Sequence, residues 1–365
     1  MPGVKAFFGA DYSAARDTFL AAARLRDASI EHLTHPSARG ARDEPLTIDL
    51  AWLGDTTAEA LLLLTSGTHG VEGFCGSGAQ VALLHDDDFV RSVAARGVAV
   101  LLVHALNPYG FSHLRRVNED NVDLNRNFRD FATPPPVNEA YATLHPHVLP
   151  ARWPAPPADD AVLFAYIQQH GLAALQTVIS AGQYAFPEGM FFGGNHPVWS
   201  NVCVRKVLCE YASSRARFGW IDFHSGLGPL GWGEKIFAGR DDPTELARAR
   251  AWWGTDVTSF HEGSSVSAAL SGAMYAAAYE ECPDAAYTGI ALEFGTVPLI
   301  DVFGALRADH WLHNHPEARH ALQSAVNAAM RRAFYVETPE WQAAVVAQAK
   351  ATAESALIHL SEASR

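Results

Sequence analysis

Cysteine and clustered positive charge are both scarce in this sequence. Its 365 residues include four cysteines, and none of them stands in a CxxC pair. This excludes a disulfide scaffold and favours a reducing compartment. The net charge is −13 at pH 7, and no basic cluster is larger than two adjacent arginines. Because nucleic-acid binding needs a positive stripe, we expect no nucleic-acid partner.

Long apolar runs are also missing. No run approaches the roughly 20 residues that a bilayer-spanning helix needs. The first residues lack the charged head and long apolar core of a signal peptide. We therefore predict a soluble, cytoplasmic protein without a membrane partner.

The sequence does contain ample material for a core, since 48% of its residues are hydrophobic. Helical and strand patterns alternate along the chain, which implies a largely parallel sheet covered on both faces. We predict an α/β fold with a mostly parallel mixed sheet, in a single domain over residues 1–365. A proline-rich stretch at about 133–159 is predicted to be an irregular insertion.

The spacing of apolar residues predicts individual elements. A strand suited to a sheet edge is predicted at 47–53, and the aromatic segment 182–195 is predicted to be a loop and a candidate pocket wall. Helices are predicted at 12–33, 78–85, 161–179, 306–334 and 339–360.

A histidine and a glutamate three residues apart follow the apolar run 61–64, which is typical of a buried parallel strand. His69 and Glu72 can both reach one ion if the backbone between them turns tightly, and the glycines around them allow that turn. Open α/β sheets place their sites at this end of a strand. The pair is therefore interpreted as two zinc ligands, although an incidental pair in a surface loop has the same pattern.

Four further motifs follow in order: Asn107-Pro108-Tyr109-Gly110-Phe111 with Arg115-Arg116, then Asp123-Leu124-Asn125-Arg126-Asn127-Phe128, then a strand that ends in His224-Ser225-Gly226, then Gly289-Ile290-Ala291-Leu292-Glu293-Phe294-Gly295-Thr296. Their order resembles that of the zinc carboxypeptidase superfamily. The motifs are most similar to a bacterial branch of unknown function, and the succinylglutamate desuccinylase and aspartoacylase branch shares the metal motif and the Asp-Leu-Asn-Arg.

The resemblance completes a ligand set. Catalytic zinc typically takes three protein ligands and keeps one position for water. His69, Glu72 and His224 would supply these ligands for one Zn²⁺ per chain, and bound water would acidify towards a pKa of about 7. Strand alternation sends Glu293 to the face opposite its apolar neighbours, and the resemblance makes it the general base. A structural salt bridge is the alternative for Glu293.

The resemblance also implies roles for cationic side chains. An arginine beside the zinc would stabilise the oxyanion that develops on the amide carbonyl. We prefer Arg116 for this role and keep Arg115 as the alternative. Asn125 and Arg126 match the residues that hold the substrate carboxylate, a task that suits a planar guanidinium. Their alternative role is to anchor a loop.

Three further features have open interpretations. Asp222 shares a strand face with His224, and it either orients that ligand, neutralises an arginine or is purely structural. The cluster of His310, His313 and His315 is predicted to be a solvated surface. Cys75 is predicted to be a small buried residue at a helix start.

One departure from the superfamily bears on substrate choice. Peptide-cleaving members carry a mobile tyrosine about twenty residues before the general base, and the match of Ser271-Gly272 puts Ala268 at that position. We expect a zinc hydrolase that cleaves an amide next to a free carboxylate, acting on a small peptide. The alternatives are an N-acyl amino acid deacylase and a non-catalytic metal-binding protein.

Overall fold

A computed structural model describes residues 3–362. Seven strands form one sheet in the order β1-β2-β4-β3-β5-β7-β6. The strands are β1 (Ser29–Arg39), β2 (Pro45–Leu53), β3 (Ala60–Ser66), β4 (Ala99–His104), β5 (Arg217–Leu230), β6 (Gly233–Phe237) and β7 (Ala286–Gly295).

Helices cover the sheet and fill the connections between the strands. They are α1 (Tyr12–Arg24), α2 (Gly73–His85), α3 (Asp87–Arg96), α4 (Pro108–His113), α5 (Glu139–Val148), α6 (Pro157–His170), α7 (Leu172–Ser180), α8 (Trp199–Val207), α9 (Pro243–Trp253), α10 (Ala276–Glu281), α11 (Leu299–Asn314), α12 (Arg319–Phe334) and α13 (Pro339–Glu362).

The predicted α/β fold with a mixed sheet is confirmed. The four central strands β4, β3, β5 and β7 run parallel, whereas β1, β2 and β6 pair antiparallel at the two edges. The central strands are buried on both faces, as parallel strands usually are. Their carboxyl ends therefore meet along one edge of the sheet.

Two hydrophobic cores lie on opposite faces of this sheet. Alternate side chains of β3 supply them: Leu62 and Leu64 pack into the core beneath α1, α2, α3 and α13, while Leu61 and Leu63 pack into the core beneath α8 and α10. The period of two along a strand produces this division. The strands are thus held from both sides, which fixes the register of the residues at their carboxyl ends.

The helix predicted at 12–33 is wrong in its second half. α1 ends at Arg24, and Ser29–Arg39 forms edge strand β1, which pairs antiparallel with β2. Pro36 therefore does not follow a helix; it lies where the β1–β2 register shifts, at a sheet edge that tolerates proline. As a result, the strand predicted at 47–53 is β2, second from the edge.

Several predicted helices have different bounds. The helix predicted at 161–179 is broken at Gly171, whose φ is +89°, and the helix predicted at 306–334 is broken before Pro316. The stretch 133–159 is not irregular throughout, because it contains α5. α2 begins at Gly73, five residues before the predicted 78. Gly76 lies in this first part of the helix and lets it pack closely on the sheet, because an added Cβ would lie 2.6 Å from Ser66 Cβ. Close packing on the sheet outweighs the low helix propensity of glycine.

Within residues 3–362, no helix combines the length and the apolar character needed to cross a membrane.

His104, the last residue of β4, is a buried group that affects stability. It is fully buried, stacks on Phe19 at 4.6 Å, and its Nε2 lies 2.9 Å from Ser77 Oγ. Burial penalises the charged imidazole and lowers its pKa from 6.5 to about 4.

We predict that His104 makes the protein acid-sensitive. An unfolded chain binds a proton at this residue below pH 6.5, whereas the native state does so only near pH 4, so stability is complete above pH 6.5 and falls between these values. The loss amounts to roughly 3 kcal/mol at most. Urea unfolding at pH 4 to 7 should show a flatter pH profile for His104→Asn than for wild type. Parallel profiles would contradict this assignment.

Candidate metal centre

The loop after β3 positions the first two predicted ligands. Gly67 turns the chain with a φ of +65°, and His69 then precedes a 3₁₀ turn, Gly70–Glu72. Gly70 touches another backbone so closely that an added Cβ would lie 2.1 Å from Gly110 C. The loop is tied down further because Gly70 N donates to Arg116 O at 3.0 Å. The backbone between the two ligands is therefore fixed from both sides.

His224 and Glu293 come from neighbouring parallel strands. They are register partners on β5 and β7, so they lie side by side at the carboxyl end of the sheet. The neighbouring Leu292 and Phe294 point into the hydrophobic core, as the alternation of the strand predicts. Both polar side chains line the same cavity as His69 and Glu72.

The structure brings His69, Glu72 and His224 together as one donor set. Glu72 lies between the two rings: Oε1 is 2.9 Å from His69 Nδ1, and Oε2 is 2.9 Å from His224 Nδ1. One ligand atom from each residue lies within 4.8 Å of the others, and all three residues are buried. Burial raises the pKa of Glu72, but the two histidines outweigh it and hold that pKa well below its usual range.

A second carboxylate contacts the far nitrogen of each ring. His224 Nε2 lies 2.6 Å from Asp222 Oδ2, and His69 Nε2 lies 3.2 Å from Asp123 Oδ1. Asp222 is itself fixed because the hydroxyls of Thr65 and Thr68 donate to it. Asp222 therefore makes the direct contact with a candidate ligand that an orienting role requires.

These residues fit a zinc ion. Two imidazoles and one carboxylate form a known catalytic zinc set, and a carboxylate on the other ring nitrogen is the usual support for such a histidine. His69 Nε2 also lies 2.8 Å from Arg116 Nη2. A metal on Nδ1 requires Nε2 to carry the proton and donate to Asp123, so Arg116 cannot donate to that nitrogen in the loaded site.

The two adjacent arginines have different environments. Arg116 lies in the site: its Nη1 donates to Glu72 Oε1 and its Nε to Asp123 Oδ2, both at 3.0 Å. Arg115 points away and pairs with Asp309, and its Nη1 lies 3.0 Å from His313 Nδ1. Of the two candidates for the oxyanion role, Arg116 therefore lies beside the donor set, whereas Arg115 does not contact it.

Glu293 differs from the other buried carboxylates of the site in having few partners. Its Oε1 accepts one hydrogen bond, from Leu227 N at 2.9 Å. Burial and the negative charge of Glu72 raise the pKa of Glu293 to about 8, against the opposing effects of His224 and Arg116. Its single hydrogen bond and its position beside Glu72 distinguish this carboxylate from Glu72, Asp123 and Asp222.

Asn125 and Arg126 lie in a 3₁₀ turn that Asp123 caps. Asn125 Oδ1 accepts from Met274 N, and the guanidinium of Arg126 donates to the carbonyl oxygens of Ser180 and Asn125. Burial lowers the pKa of Arg126 to about 10, which leaves it cationic at neutral pH. Both residues line the cavity that holds the donor set.

The cavity has a volume of about 160 Å³. Phe191, from the predicted loop 182–195, lines the cavity. The centroid of its ring lies 5.2 Å from Arg116 Cζ and 5.4 Å from Arg126 Cζ. Each guanidinium therefore packs on the same aromatic ring, which restricts how it can move. Ala268 also lines the cavity.

Other predicted candidates lie outside the donor set. The prediction of a solvated surface is wrong for His310, which is buried in α11, where burial lowers its pKa well below the usual range. The alternation of histidines did not reveal that this part of α11 is buried, where Asp309 pairs with Arg115. Cys75 is a free, buried thiol in the first turn of α2, as predicted, and burial raises its pKa.

Asp123 is the site residue that the sequence did not reveal. It is fully buried and contacts His69, Arg116 and Asn125 N, with Arg126 at 3.7 Å. Burial would raise its pKa, but the two guanidinium groups hold that pKa well below the usual range. Its position two residues before Asn125, at a cap, was the available signal.

Comparison with known proteins identifies one family. A family model described as "Protein of unknown function (DUF2817)" matches residues 8–348. No curated protein matches the chain in sequence.

Several solved structures are similar to this chain at low identity and with TM-scores below 0.5. Carboxypeptidase A from Helicoverpa armigera is 13% identical over 88% of this chain and 73% of its own, with a TM-score of 0.47. A metallo-carboxypeptidase from Burkholderia cenocepacia is 16% identical over 88% and 67%, with a TM-score of 0.38. An aspartoacylase family protein from Mesorhizobium loti is 15% identical over 78% and 66%, with a TM-score of 0.36. Likeness at this level assigns no activity, which has to come from the side chains of the site.

We predict that Asp222→Asn weakens zinc binding without preventing folding. The variant keeps the shape of the side chain but loses the charge that orients His224, and such changes typically cost tenfold to a hundredfold in metal affinity. A competition titration against a chromophoric chelator measures this affinity. Asp309→Asn is the matched control, because Asp309 is equally buried but pairs with Arg115. Equal zinc affinity in both variants would refute the role of Asp222.

Proposed function

The chain belongs to the DUF2817 family, whose description states no function, and we propose from its site that the protein is a zinc-dependent hydrolase. It cleaves an amide bond next to a free carboxylate. The observation that carries this proposal is one cavity that holds a donor set, a neighbouring buried carboxylate that accepts one hydrogen bond, and a buried guanidinium.

Each bond change in this reaction balances with water as the co-reactant. The amide C–N bond breaks, the water oxygen joins the acyl carbon, and the leaving nitrogen gains a proton. Zinc held by His69, Glu72 and His224 would supply Lewis acidity, acidify water and favour the ionised form of Glu293.

Glu293 carries the proton between the two halves of the reaction. Its carboxylate accepts a proton from the attacking water and later gives that proton to the leaving amine. The Leu227 N–H that binds Oε1 leaves Oε2 for this exchange. Because His224 is its register partner, the base is held beside the donor set by the sheet.

Two guanidinium groups bind negative charge at different points of the substrate. Arg116 lies beside Glu72 and His69, where it donates to the oxygen that becomes negative in the transition state. Arg126 and Asn125 hold the substrate carboxylate. Two backbone carbonyls and the Phe191 ring orient the Arg126 guanidinium, so little entropy is lost on binding.

An N-acyl amino acid deacylase is the second candidate. Such a substrate also has a carboxylate next to its scissile amide, so it uses the same residues. Ala268 lines the cavity at the position where peptide-cleaving relatives are expected to carry a tyrosine, and this favours a small acylated substrate over a peptide. Comparison of blocked dipeptides with N-acyl amino acids as substrates distinguishes the two.

A non-catalytic metal-binding protein is the third candidate. The poorly paired Glu293 argues against it, because a site that only binds metal gains nothing from a buried carboxylate that costs stability. Turnover that is lost with a chelator and restored by zinc would exclude this candidate.

We predict that Glu293→Gln lowers kcat by roughly 10² to 10⁴ while zinc stoichiometry stays at one per chain, since the variant removes the base and keeps the donors. Metal analysis and steady-state kinetics on one preparation check both results. Glu234→Gln is the matched control: Glu234 is buried on β6 as the register partner of Glu293 and accepts from Thr258. Comparable kcat losses in the two variants would contradict the assignment.

We predict that Arg126→Lys raises KM roughly tenfold to a hundredfold with a smaller change in kcat, because lysine cannot make the paired contacts of a guanidinium. The ratio of kcat/KM for an N-acyl amino acid to that for its carboxamide should fall towards one. Arg129→Lys is the control, since Arg129 packs on Phe131 and Tyr184 instead. A ratio that stays at the wild-type value would show that Arg126 does not bind the carboxylate.

A further inference from the structure

The cavity does not end at the donor set. Its lining also includes residues of α7 and of the first two turns of α11, among them Leu172 and Ile300, and we place its entrance at these two because they are the most exposed. These two side chains are 41% and 46% exposed. A single exposed apolar residue is ordinary on a protein surface, but two at the mouth of one cavity form an apolar entrance.

The path inward from this entrance is lined mainly by apolar side chains, with Gln176 and Ser180 as the polar residues that α7 contributes. On α7, Leu172, Leu175 and Ile179 lie at helical spacing on one face and line the cavity. On α11, Phe303 and Leu306 do the same. Every charged residue that lines the cavity belongs to the donor set, to its carboxylate support, to the base or to the two arginines already described. The lining that α7 and α11 contribute therefore includes no charged side chain.

α7 also gives this path a length. Its last residue, Ser180, holds the guanidinium of Arg126 through its carbonyl oxygen, and its first residue, Leu172, lies at the entrance. Eight steps of about 1.5 Å separate them by roughly 12 Å along the helix. A molecule whose carboxylate binds Arg126 must extend over a comparable distance to contact Leu172.

We propose that the acyl part of the substrate is an uncharged apolar chain, on the order of eight carbons long, that lies between α7 and α11. The inference rests on the proposed function, because it takes the carboxylate at Arg126 and the scissile amide at the donor set as given. It excludes acetyl and succinyl groups as the preferred acyl parts, since the first leaves the path empty and the second places a charge in it.

Direct binding tests the inference separately from turnover. Zinc-loaded Glu293→Gln protein, which retains the donor set, is titrated by calorimetry with N-acetyl-, N-butanoyl- and N-octanoylglycine. Glycine keeps the acyl chain as the only variable apolar part. We expect affinity to rise about two- to fourfold per methylene, which amounts to at least about 60-fold over the six methylenes from acetyl to octanoyl. Equal affinities across the series, or no binding of any member, would overturn the inference.

A charge at the entrance provides the second arm of the test. Ile300→Asp should reduce the octanoyl-to-acetyl affinity ratio at least fivefold, because a carboxylate beside the chain loses hydration when the chain binds. Ile300 is the second residue of α11, where an acidic side chain suits the helix start. Val162→Asp is the matched control: Val162 is 37% exposed on the neighbouring α6 and does not line the cavity. Equal ratios in the two variants would contradict the proposed path.

Turnover by the wild-type enzyme then reports on the proposed function alone. Hydrolysis of the acetyl and octanoyl compounds at equal kcat/KM would support the hydrolase and overturn the chain preference. Chain-length-dependent binding without any hydrolysis would support the apolar path and overturn the hydrolase.

Discussion

The site depends on how the fold compensates four carboxylates that are buried together. Asp123 is balanced by Arg116 and Arg126, Asp222 by two threonine hydroxyls and His224, and Glu72 by both histidines. Among residues 3–362, the hydrogen bond to Glu293 comes from the backbone N–H of Leu227, and the pKa of Glu293 rises to about 8. An isolated buried charge is too costly, so the unequal distribution of partners decides which carboxylate keeps a proton. The same distribution separates the groups suited to hold a cation from the one suited to move a proton.

The sheet turns this electrostatic arrangement into geometry. β5 and β7 place His224 beside Glu293 by register, and the contact between Gly70 and Gly110 fixes the loop that carries His69 and Glu72. The strand register and the Gly70–Gly110 contact are both backbone interactions, so they do not depend on the side chains that line the cavity. Residues far apart in sequence meet here because parallel strands end at a common edge.

The sequence allowed the mixed sheet to be predicted, and it singled out His69, Glu72, His224 and Glu293, which the structure brings together in one cavity. Each lies in or directly after an apolar strand, in a motif whose order follows the resemblance. It did not allow the prediction of features that depend on packing. Propensity alone extends α1 past Arg24, because only pairing with β2 makes Ser29–Arg39 a strand. His310 is polar by type yet buried, since Arg115 and Asp309 form an ion pair beneath α11. Asp123 acquires its importance only when His69 and two arginines converge on it.

The carbonyl of Ser180 that holds Arg126 belongs to α7, outside the sheet that supports the donor set and the base. Under the proposed function, the group that binds the substrate carboxylate and the groups that cleave the amide therefore lie in different structural layers. Mutations that reshape α7 or α11 alter what enters without disturbing the strand register on which the reactive groups depend. Substrate preference can therefore diverge among related sequences while the proposed reaction is retained.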